Sequence, residues 1–241
     1  MRIAVISDIH GNLTALEAVL NDLAGQPYDA MVCLGDLAYK GPQPAECVAR
    51  VRSLGIPVIH GNTDLMLLTQ TDLTPVRPLP AAVPDALAPY LRWHVERLSR
   101  ADLAYLAALP FEHYIAADGV RVQFVHATPQ DCVSIIQPTD PWEQWQNRVG
   151  AIAADWLVAG HIHRPYAFRA AGKQLINPGA VGFSLDGDWR ASYAMLDTAR
   201  GSITLSRVAY AIDKAVAAAR EAGFCFDPAQ YGENLRNGVW P

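Results

Sequence analysis

Ala4-Val5-Ile6-Ser7-Asp8-Ile9-His10-Gly11-Asn12 constrains this chain more than any other stretch. A short apolar run ends in a carboxylate and an imidazole one residue apart, and Gly11 and a helical pattern follow at once. Buried strands of a parallel sheet are continuous apolar runs, and open α/β sheets place their chemistry just beyond the carboxyl ends of such strands. Four further runs end the same way. Ala30 to Leu34 leads into Gly35-Asp36, and Ile56 to Ile59 into His60-Gly61-Asn62-Thr63-Asp64. Val120 to Val125 leads into His126, and Trp156 to Ala159 into Gly160-His161-Ile162-His163.

Helical patterns separate the first of these runs. Leu13, Leu16, Leu20 and Leu23 recur at helical spacing between Asn12 as N-cap and Gly25 as stop, and Cys47, Val48, Val51 and Leu54 do so before Gly55. Three β-α units in succession predict a largely parallel sheet with right-handed crossovers. From Thr71 to Pro110 the rhythm changes, because Pro75, Pro78, Pro80, Pro84 and Pro89 are too dense for a strand or the middle of a long helix. Leu87, Leu91, Val95 and Leu98 make one amphipathic stripe there. Ser99 with Asp102 opens a second helix that Pro110 stops. The segment reads as a helical insertion over the sheet edge, either a lid or a plain cover.

Beyond it, Phe111 to Ile115 and Val120 to Val125 form a hairpin around Asp118-Gly119. A polar loop spans 127–139, and Asp140, Pro141 and Glu143 start a helix. Asn177-Pro178-Gly179 is read as a loop, Ala191 to Leu196 and Ile203 to Tyr210 as an antiparallel pair, and Ile212 to Ala222 as a helix before a short tail. A single domain over residues 1–241 is expected.

Composition removes several classes of function. The net charge of -5, from 24 acidic and 19 basic residues without a long run of either sign, offers no basic footprint for nucleic acid. It leaves a phosphate substrate open, because bound cations reverse the local field. No apolar run approaches the roughly 20 residues that span a bilayer, and no apolar leader precedes the first strand, so no membrane association is expected. Cys33, Cys47, Cys132 and Cys225 are scattered without CxxC spacing and read as reduced thiols of a cytoplasmic protein.

In a sheet of this kind the strand ends lie on one side, so Asp8, His10, Asp36, Asn62, His126, His161 and His163 can converge. Oxygen and imidazole donors without thiolate suit manganese, iron, nickel or zinc better than a calcium cage. Seven ligands are too many for one ion with an open position and suit two divalent transition metal ions sharing a carboxylate. Such a pair, about 3.5–4 Å apart, activates a bridging water and clamps phosphoryl oxygens. Phosphate-ester hydrolysis by a metal-bridging hydroxide is the expectation, with no serine, cysteine or histidine nucleophile.

Taken together, Asp8-Ile9-His10, Gly35-Asp36, Gly61-Asn62-Thr63-Asp64, His126 and Gly160-His161-Ile162-His163 resemble the motif series of the calcineurin-like metallophosphoesterases. The resemblance covers roughly residues 1 to 210. Asn177-Pro178-Gly179 is similar to a loop of the family's small bacterial and archaeal phosphodiesterase branch. It implies a four-layer αββα sandwich of two mixed sheets, one layer more than the chain alone suggests. It also implies that Asp8, His10 and His163 hold one metal, that Asn62, His126 and His161 hold the other, and that Asp36 bridges both. Manganese is the first candidate ion, and the implied substrate is a small phosphorylated compound such as a nucleotide, as a monoester or diester. A nuclease of the same family and a non-catalytic scaffold of the same fold, as in the retromer component, are the competing readings. The first lacks a basic groove; the second need not keep all seven ligands.

One position departs from the family. Many members carry histidine after the asparagine, where it steadies phosphate and protonates the leaving oxygen, and here that residue is Thr63. A threonine hydroxyl is a very poor proton source at neutral pH. Asn12, Thr63, Asp64 and Asn177 are expected near the ligands, either toward substrate or orienting them from behind. His60 reads as a loop histidine rather than a catalytic one, and His94 and His113 as structural. Trp93, Tyr90, Trp142 and Trp145 could stack a nucleobase, but their helical spacing favours the core. Lys40 and Arg190 could neutralise phosphate, although solvated cations are commoner.

Overall fold

The opening apolar run forms β1 (Arg2–Ile6), and Asn12 caps α1 (Leu13–Ala24) by accepting the Ala15 N–H at 3.1 Å. Gly25 closes that helix. In the computed structural model, residues 1–72, 81–82, 87–135, 137–149, 152–170 and 172–239 are described. β2 (Ala30–Cys33) lies parallel to β1, with Val5 opposite Val32, and α2 (Pro44–Ser53) follows with Pro44 in its first turn.

The run expected as a third strand is reduced to a parallel bridge between Cys33 and Val58. Pro57 has no N–H to give the ladder; its carbonyl accepts from Cys33, and Ile59 donates to Cys33 in return. α3 (Asn62–Thr69) starts at once, with Asp64 accepting the N–H of its N-cap residue Gly61 and Asp36 that of Thr63. β3 (Thr71–Asp72) and β4 (Ala81–Ala82) make a two-stranded antiparallel pair. Pro75, Pro78, Pro80 and Pro84 lie outside the described residues.

α4 (Ala88–Val95) and α5 (Arg100–Ala107) are the two expected insertion helices, the second entered through a Ser99/Asp102 capping box. Leu91, Trp93, Leu98 and Leu106 are buried in the same core cluster as α1, α2 and α3, which makes these helices part of the helical layer. β5 (Glu112–Ala117) and β6 (Val120–Val125) form the expected hairpin, with Asp118 and Gly119 at φ 53° and 76°. α6 (Trp142–Val149) and β7 (Trp156–Ala159) come next.

Besides the β3–β4 pair, three elements escaped the sequence reading. β8 (Tyr166–Ala170) and β9 (Lys173–Asn177) pair antiparallel, so that Asn177 ends a strand instead of opening a loop. After β10 (Ala191–Asp197), β11 (Ser202–Val208) and α7 (Ile212–Glu221), the supposed tail is a helix, α8 (Pro228–Asn237). Asp227 caps it, Pro228 opens it and Gly238 ends it, and its Tyr231 and Leu235 are buried with α7 residues Ala215, Val216 and Ala219. Those caps were readable; the apolar stripe was too short to be noticed.

The expected largely parallel sheet is corrected to two mixed sheets, because three hairpins join six of their nine strands. One has the order β11-β10-β1-β2 and the other β5-β6-β7-β9-β8. Alternation along β1 shows how they stack: Ile3 and Val5 join Val122, Phe124, Trp156, Val158 and Ile176 between the sheets, while Ala4 and Ile6 join the helical cluster on the outside. On the far side, Val125, Leu157 and Leu175 pack against Trp145 and Val149 of α6. The architecture is therefore αββα, as the resemblance implied. β1 and β2 are parallel in one sheet, and β6 and β7 in the other, so their carboxyl ends open on one edge of the sandwich.

Candidate metal centre

At that edge the chain leaves each strand through a sharp turn. Asp8, His10, Asp36, His161 and His163 have φ of 56°, 50°, 56°, 69° and 57°. Left-handed backbone costs a non-glycine residue roughly 1–2 kcal/mol, so five such residues in one place persist only where the surrounding structure over-determines them. Strain of this kind is concentrated at functional sites.

All seven expected side chains meet there. On one side, His10 Nε2 and His163 Nε2 stand 3.0 Å apart, and Asp8 Oδ1 lies 3.3 Å from His163 Nε2 and 3.9 Å from His10 Nε2. On the other, His126 Nε2 lies 3.0 Å from Asn62 Oδ1 and 3.2 Å from His161 Nδ1. Asp36 Oδ2 sits between the two groups, 3.5 Å from His10 Nε2 and 3.6 Å from His126 Nε2. Among the described residues, Asp8, His10 and His163 form one cluster able to hold an ion, and Asp8, Asp36 and His126 form another.

Hydrogen bonds behind the imidazoles decide what these atoms are. His10 Nδ1 is 3.0 Å from the Tyr39 carbonyl, His126 Nδ1 is 2.7 Å from that of Leu34, and His161 Nε2 is 3.1 Å from that of Val133. His163 Nδ1 pairs likewise with the Phe183 carbonyl. A carbonyl only accepts, so each of these nitrogens carries the proton and the opposite nitrogen presents a lone pair. The facing nitrogens and oxygens are thus acceptors aimed at one another. Asp8 Oδ1 is fully buried and without a hydrogen-bond partner. Donor separations near 3.0–3.5 Å are what ligand atoms about 2.0–2.2 Å from a shared cation require. The donor set fits divalent transition metal ions.

Electrostatics favour the neutral imidazole at His10 and His161, whereas the two acidic side chains draw a proton toward His126. Burial, reinforced by the Lys40 and His163 charges, pushes His10 well below the usual imidazole range, and burial with His126 takes His161 down to about 4. Burial would raise the Asp8 carboxyl, but His163, His126 and His10 together hold it below the ordinary carboxylate range. For His126 the burial penalty is outweighed by Asp36 and Asp8, and its pKa rises. Burial and the Asp36 charge push Asp64 up to about 7.

The residues expected beside the ligands have definite tasks. Asp64 accepts from the backbone N–H groups of Asp36, Leu37 and Gly61 at 2.8, 2.9 and 2.9 Å, and so clamps the loop that carries Asp36. Thr63 donates its backbone N–H to Asp36 Oδ1 at 2.9 Å, and its buried hydroxyl has no partner. Asn177 Nδ2 holds the Gly160 carbonyl at 2.6 Å, just ahead of His161. Asn12, besides capping α1, donates to Gly182 O, next to the Phe183 carbonyl that orients His163. Gly160 lies so close to β1 that an added Cβ would stand 2.1 Å from Ser7 Oγ and 2.9 Å from Asp8 Oδ2. Gly160→Ala should therefore weaken metal binding roughly 10- to 100-fold, as loss of an orienting contact does. Calorimetric titration with manganese checks this, and an unchanged affinity would show that the β1 end yields freely.

The site opens into a cavity of about 280 Å³ lined by Asp36, Asn62, Thr63, His161 and His163 together with Tyr39, Lys40, Ile135, Gln137, Ile162, Arg164 and Leu185. Its apolar wall and Arg164 were missed in the sequence, since nothing but nearness to His163 marks them. His60 does not line it and packs against Phe111 at 5.8 Å. Trp93 donates its indole N–H to Gly223 O, and Trp145 packs on Phe168, so neither faces the cavity. The Trp142 side chain lies outside the described residues. Tyr90 is spent on the Lys40 carbonyl, His113 packs near Phe124, and Arg190 pairs with Asp188 on the surface. All four cysteines are free.

Comparison with known proteins places the fold and the family. Residues 1–201 match the model of the calcineurin-like phosphoesterase superfamily domain. An uncharacterized protein of Methanocaldococcus jannaschii is 32% identical over 231 residues, which cover 88% of this chain and 89% of that one. The crystal structure of a metallophosphoesterase from Sphaerobacter thermophilus superposes with a TM-score of 0.79 at 32% identity, over 99% of both chains. A hypothetical protein of Pyrococcus horikoshii shares the fold, with a TM-score of 0.83 at 21% identity, over 100% of this chain and 99% of that one. A symmetrical bis(5'-nucleosyl)-tetraphosphatase of Pectobacterium carotovorum is 37% identical over 67 residues, 27% of this chain and 24% of that protein.

Proposed function

Because the chain belongs to the calcineurin-like phosphoesterase superfamily, we propose that it hydrolyses a phosphomonoester or phosphodiester of a small molecule with two divalent transition metal ions, manganese first among them. Asp8, His10 and His163 would hold one ion, Asn62, His126 and His161 the other, and Asp36 would lie between them. The observation that carries this reading is the convergence of seven acceptor side chains whose lone pairs face one another, fixed from behind by four backbone carbonyls. Such a group is repulsive without cations and complementary to them. When bound, the ions would lower the pKa of a shared water and neutralise charge on the phosphoryl oxygens.

The protein's own groups do the rest. The carbonyls behind the imidazoles hold each ligand in one tautomer, and Asp64 and Thr63 N–H hold Asp36 from two sides. A cavity of about 280 Å³ with an apolar wall of Ile135, Ile162 and Leu185 suits a small organic phosphate. Lys40 and Arg164 are the basic residues among its lining, a sparse supply for a polynucleotide backbone. The local likeness to a symmetrical bis(5'-nucleosyl)-tetraphosphatase places dinucleoside polyphosphates on the substrate panel beside nucleotides, sugar phosphates and lipid phosphates. A single domain with reduced thiols working in the cytoplasm completes the reading; no helix among the described residues is long and apolar enough to cross a membrane.

The test is metal analysis of the purified protein, with hydrolysis of a generic diester measured before and after chelation. Activity lost on chelation and restored by manganese supports the reading; a protein that binds no transition metal and hydrolyses no ester on the panel refutes it. Thr63 makes a sharper prediction. Its hydroxyl points into a buried, unpartnered position beside the cavity, so Thr63→His should supply a proton to poor leaving groups. Turnover of alkyl phosphates should rise, by up to about 10²-fold, more than that of nitrophenyl esters, whose leaving group needs no acid. Equal gains on both would count against the leaving-group argument.

A further inference from the structure

Three arginines touch the loop of residues 184–190, which begins one residue after the Phe183 carbonyl that orients His163. Two of them are spent on the loop's own acids. Arg207 of β11 pairs with Asp186 and donates to Ser184 Oγ at 2.9 Å, and Arg190 grips Asp188 through Nε at 3.0 Å and Nη2 at 2.6 Å. The third is Arg164, next in sequence to His163. Among the described residues its side chain makes one hydrogen bond, from Nε to the Leu185 carbonyl at 3.0 Å, and no ion pair. Both Nη groups are left over, with four N–H donors in a planar fork.

Arg164 and Leu185 both line the cavity at the candidate metal centre. Exposure grades along this lining: Asp36, Thr63 and His163 are buried, Ile135, Ile162 and Leu185 half-buried, and Arg164 exposed. The acceptor cluster is therefore the floor, the apolar side chains the wall and the guanidinium the rim. A phosphoryl group drawn to cations on the floor would run its organic part along the wall and leave its far end at Arg164. A plainer role competes: through the Leu185 carbonyl the arginine could simply fasten the loop that carries Phe183. Fastening needs one N–H and no charge, and it would act on every substrate alike.

We propose that Arg164 is a specificity residue that binds a second anionic group of the substrate, a carboxylate or a phosphate carried by the organic part of the ester, so that the preferred substrates are charged at both ends. The proposal rests on the phosphoesterase reading and deepens it by naming the substrate class. A guanidinium fork matches either anion with two parallel N–H bonds, and the acids that would otherwise neutralise it are held by Arg207 and Arg190.

The experiment compares manganese-loaded wild type with Arg164→Gln, Arg164→Met and Arg164→Lys on three aryl esters of similar leaving group: p-tolyl phosphate, p-(carboxymethyl)phenyl phosphate and p-(phosphonomethyl)phenyl phosphate. Wild type should favour a charged ester over p-tolyl phosphate by roughly 5- to 20-fold in kcat/KM, the lower part of the range for a hydrogen bond to a charged group because solvent screens the rim. The preference should shrink as salt rises from about 0.1 M to 1 M. Arg164→Gln, which keeps an N–H for the Leu185 carbonyl, and Arg164→Met should both bring the ratio to within about twofold of unity, while Arg164→Lys keeps part of it. A preference for one charged ester alone identifies the second anion as carboxylate or phosphate. Equal rates of wild type on all three esters would overturn the proposal, as would a ratio that survives in both neutral variants, an equal loss on every ester, or loss of manganese from both neutral variants as measured by mass spectrometry. A wild type that hydrolyses none of the three speaks against the phosphoesterase reading. Calorimetry with p-methylbenzylphosphonate and p-(carboxymethyl)benzylphosphonate, which cannot be hydrolysed, then decides the role of Arg164: tighter binding of the second by wild type but not by Arg164→Gln supports it, and equal binding overturns it.

Discussion

Asp36→Asn should reduce ester hydrolysis by at least about 10³-fold, on the scale of losing a principal electrostatic contact at a reacting centre. One oxygen of Asp36 faces both His10 and His126, while the other is held by the Thr63 N–H. An asparagine keeps the shape and the Thr63 contact but removes the charge that two cations would share. Thermal denaturation provides an independent reading. An ion bound at 100 times its dissociation constant adds about 2.7 kcal/mol. For a chain of this size that corresponds to a rise in Tm of roughly 5–10 °C. The wild type should show this rise on adding manganese, and Asp36→Asn should lose most of it. A variant that retains both the activity and the metal-dependent rise would remove Asp36 from the centre and take the two-ion arrangement with it.

The second large effect belongs to Asp64, which is not one of the seven converging side chains. Its two oxygens take three buried backbone N–H groups, those of Asp36, Leu37 and Gly61. Asp64→Ala leaves all three unpaired in a fully buried position. Each orphaned donor costs about 1–3 kcal/mol, and the removed carboxylate was itself costly to bury, so a net loss of about 3–5 kcal/mol is expected. Tm should fall by about 10 °C. Manganese affinity should fall roughly 10- to 100-fold as the Asp36 loop loosens. Asp64→Asn should lie between, since an amide must turn one N–H toward another. If Asp64→Ala melts with the wild type, the clamp does not stabilise this loop.

Most of the candidate ligand set was legible because strands of a parallel unit announce themselves twice, by an apolar run and by what terminates it. Asp8-Ile9-His10 and Gly160-His161-Ile162-His163 follow β1 and β7, and the topology brings the ends of those strands to one edge. The capping box at Ser99 and the turn at Asp118-Gly119 were equally local and came out as expected. What failed was longer in range or weaker in signal. Pro57 turned an apolar run into a single bridge, and the β8–β9 hairpin and α8 lacked a long enough stripe to stand out.

The division has a physical cause. Ligand identity is a property of side chains, so the sequence by itself determined the oxygen and imidazole donor set, the absence of thiolate, and Thr63 after Asn62. Which nitrogen of each histidine is free is a property of its neighbours. The carbonyls of Leu34, Tyr39, Val133 and Phe183 make that choice, and backbone carbonyls leave no mark in a sequence. The same holds for Lys40, an ordinary surface cation by composition. Only the tertiary structure, by placing α4 behind its loop, turned it toward the cavity.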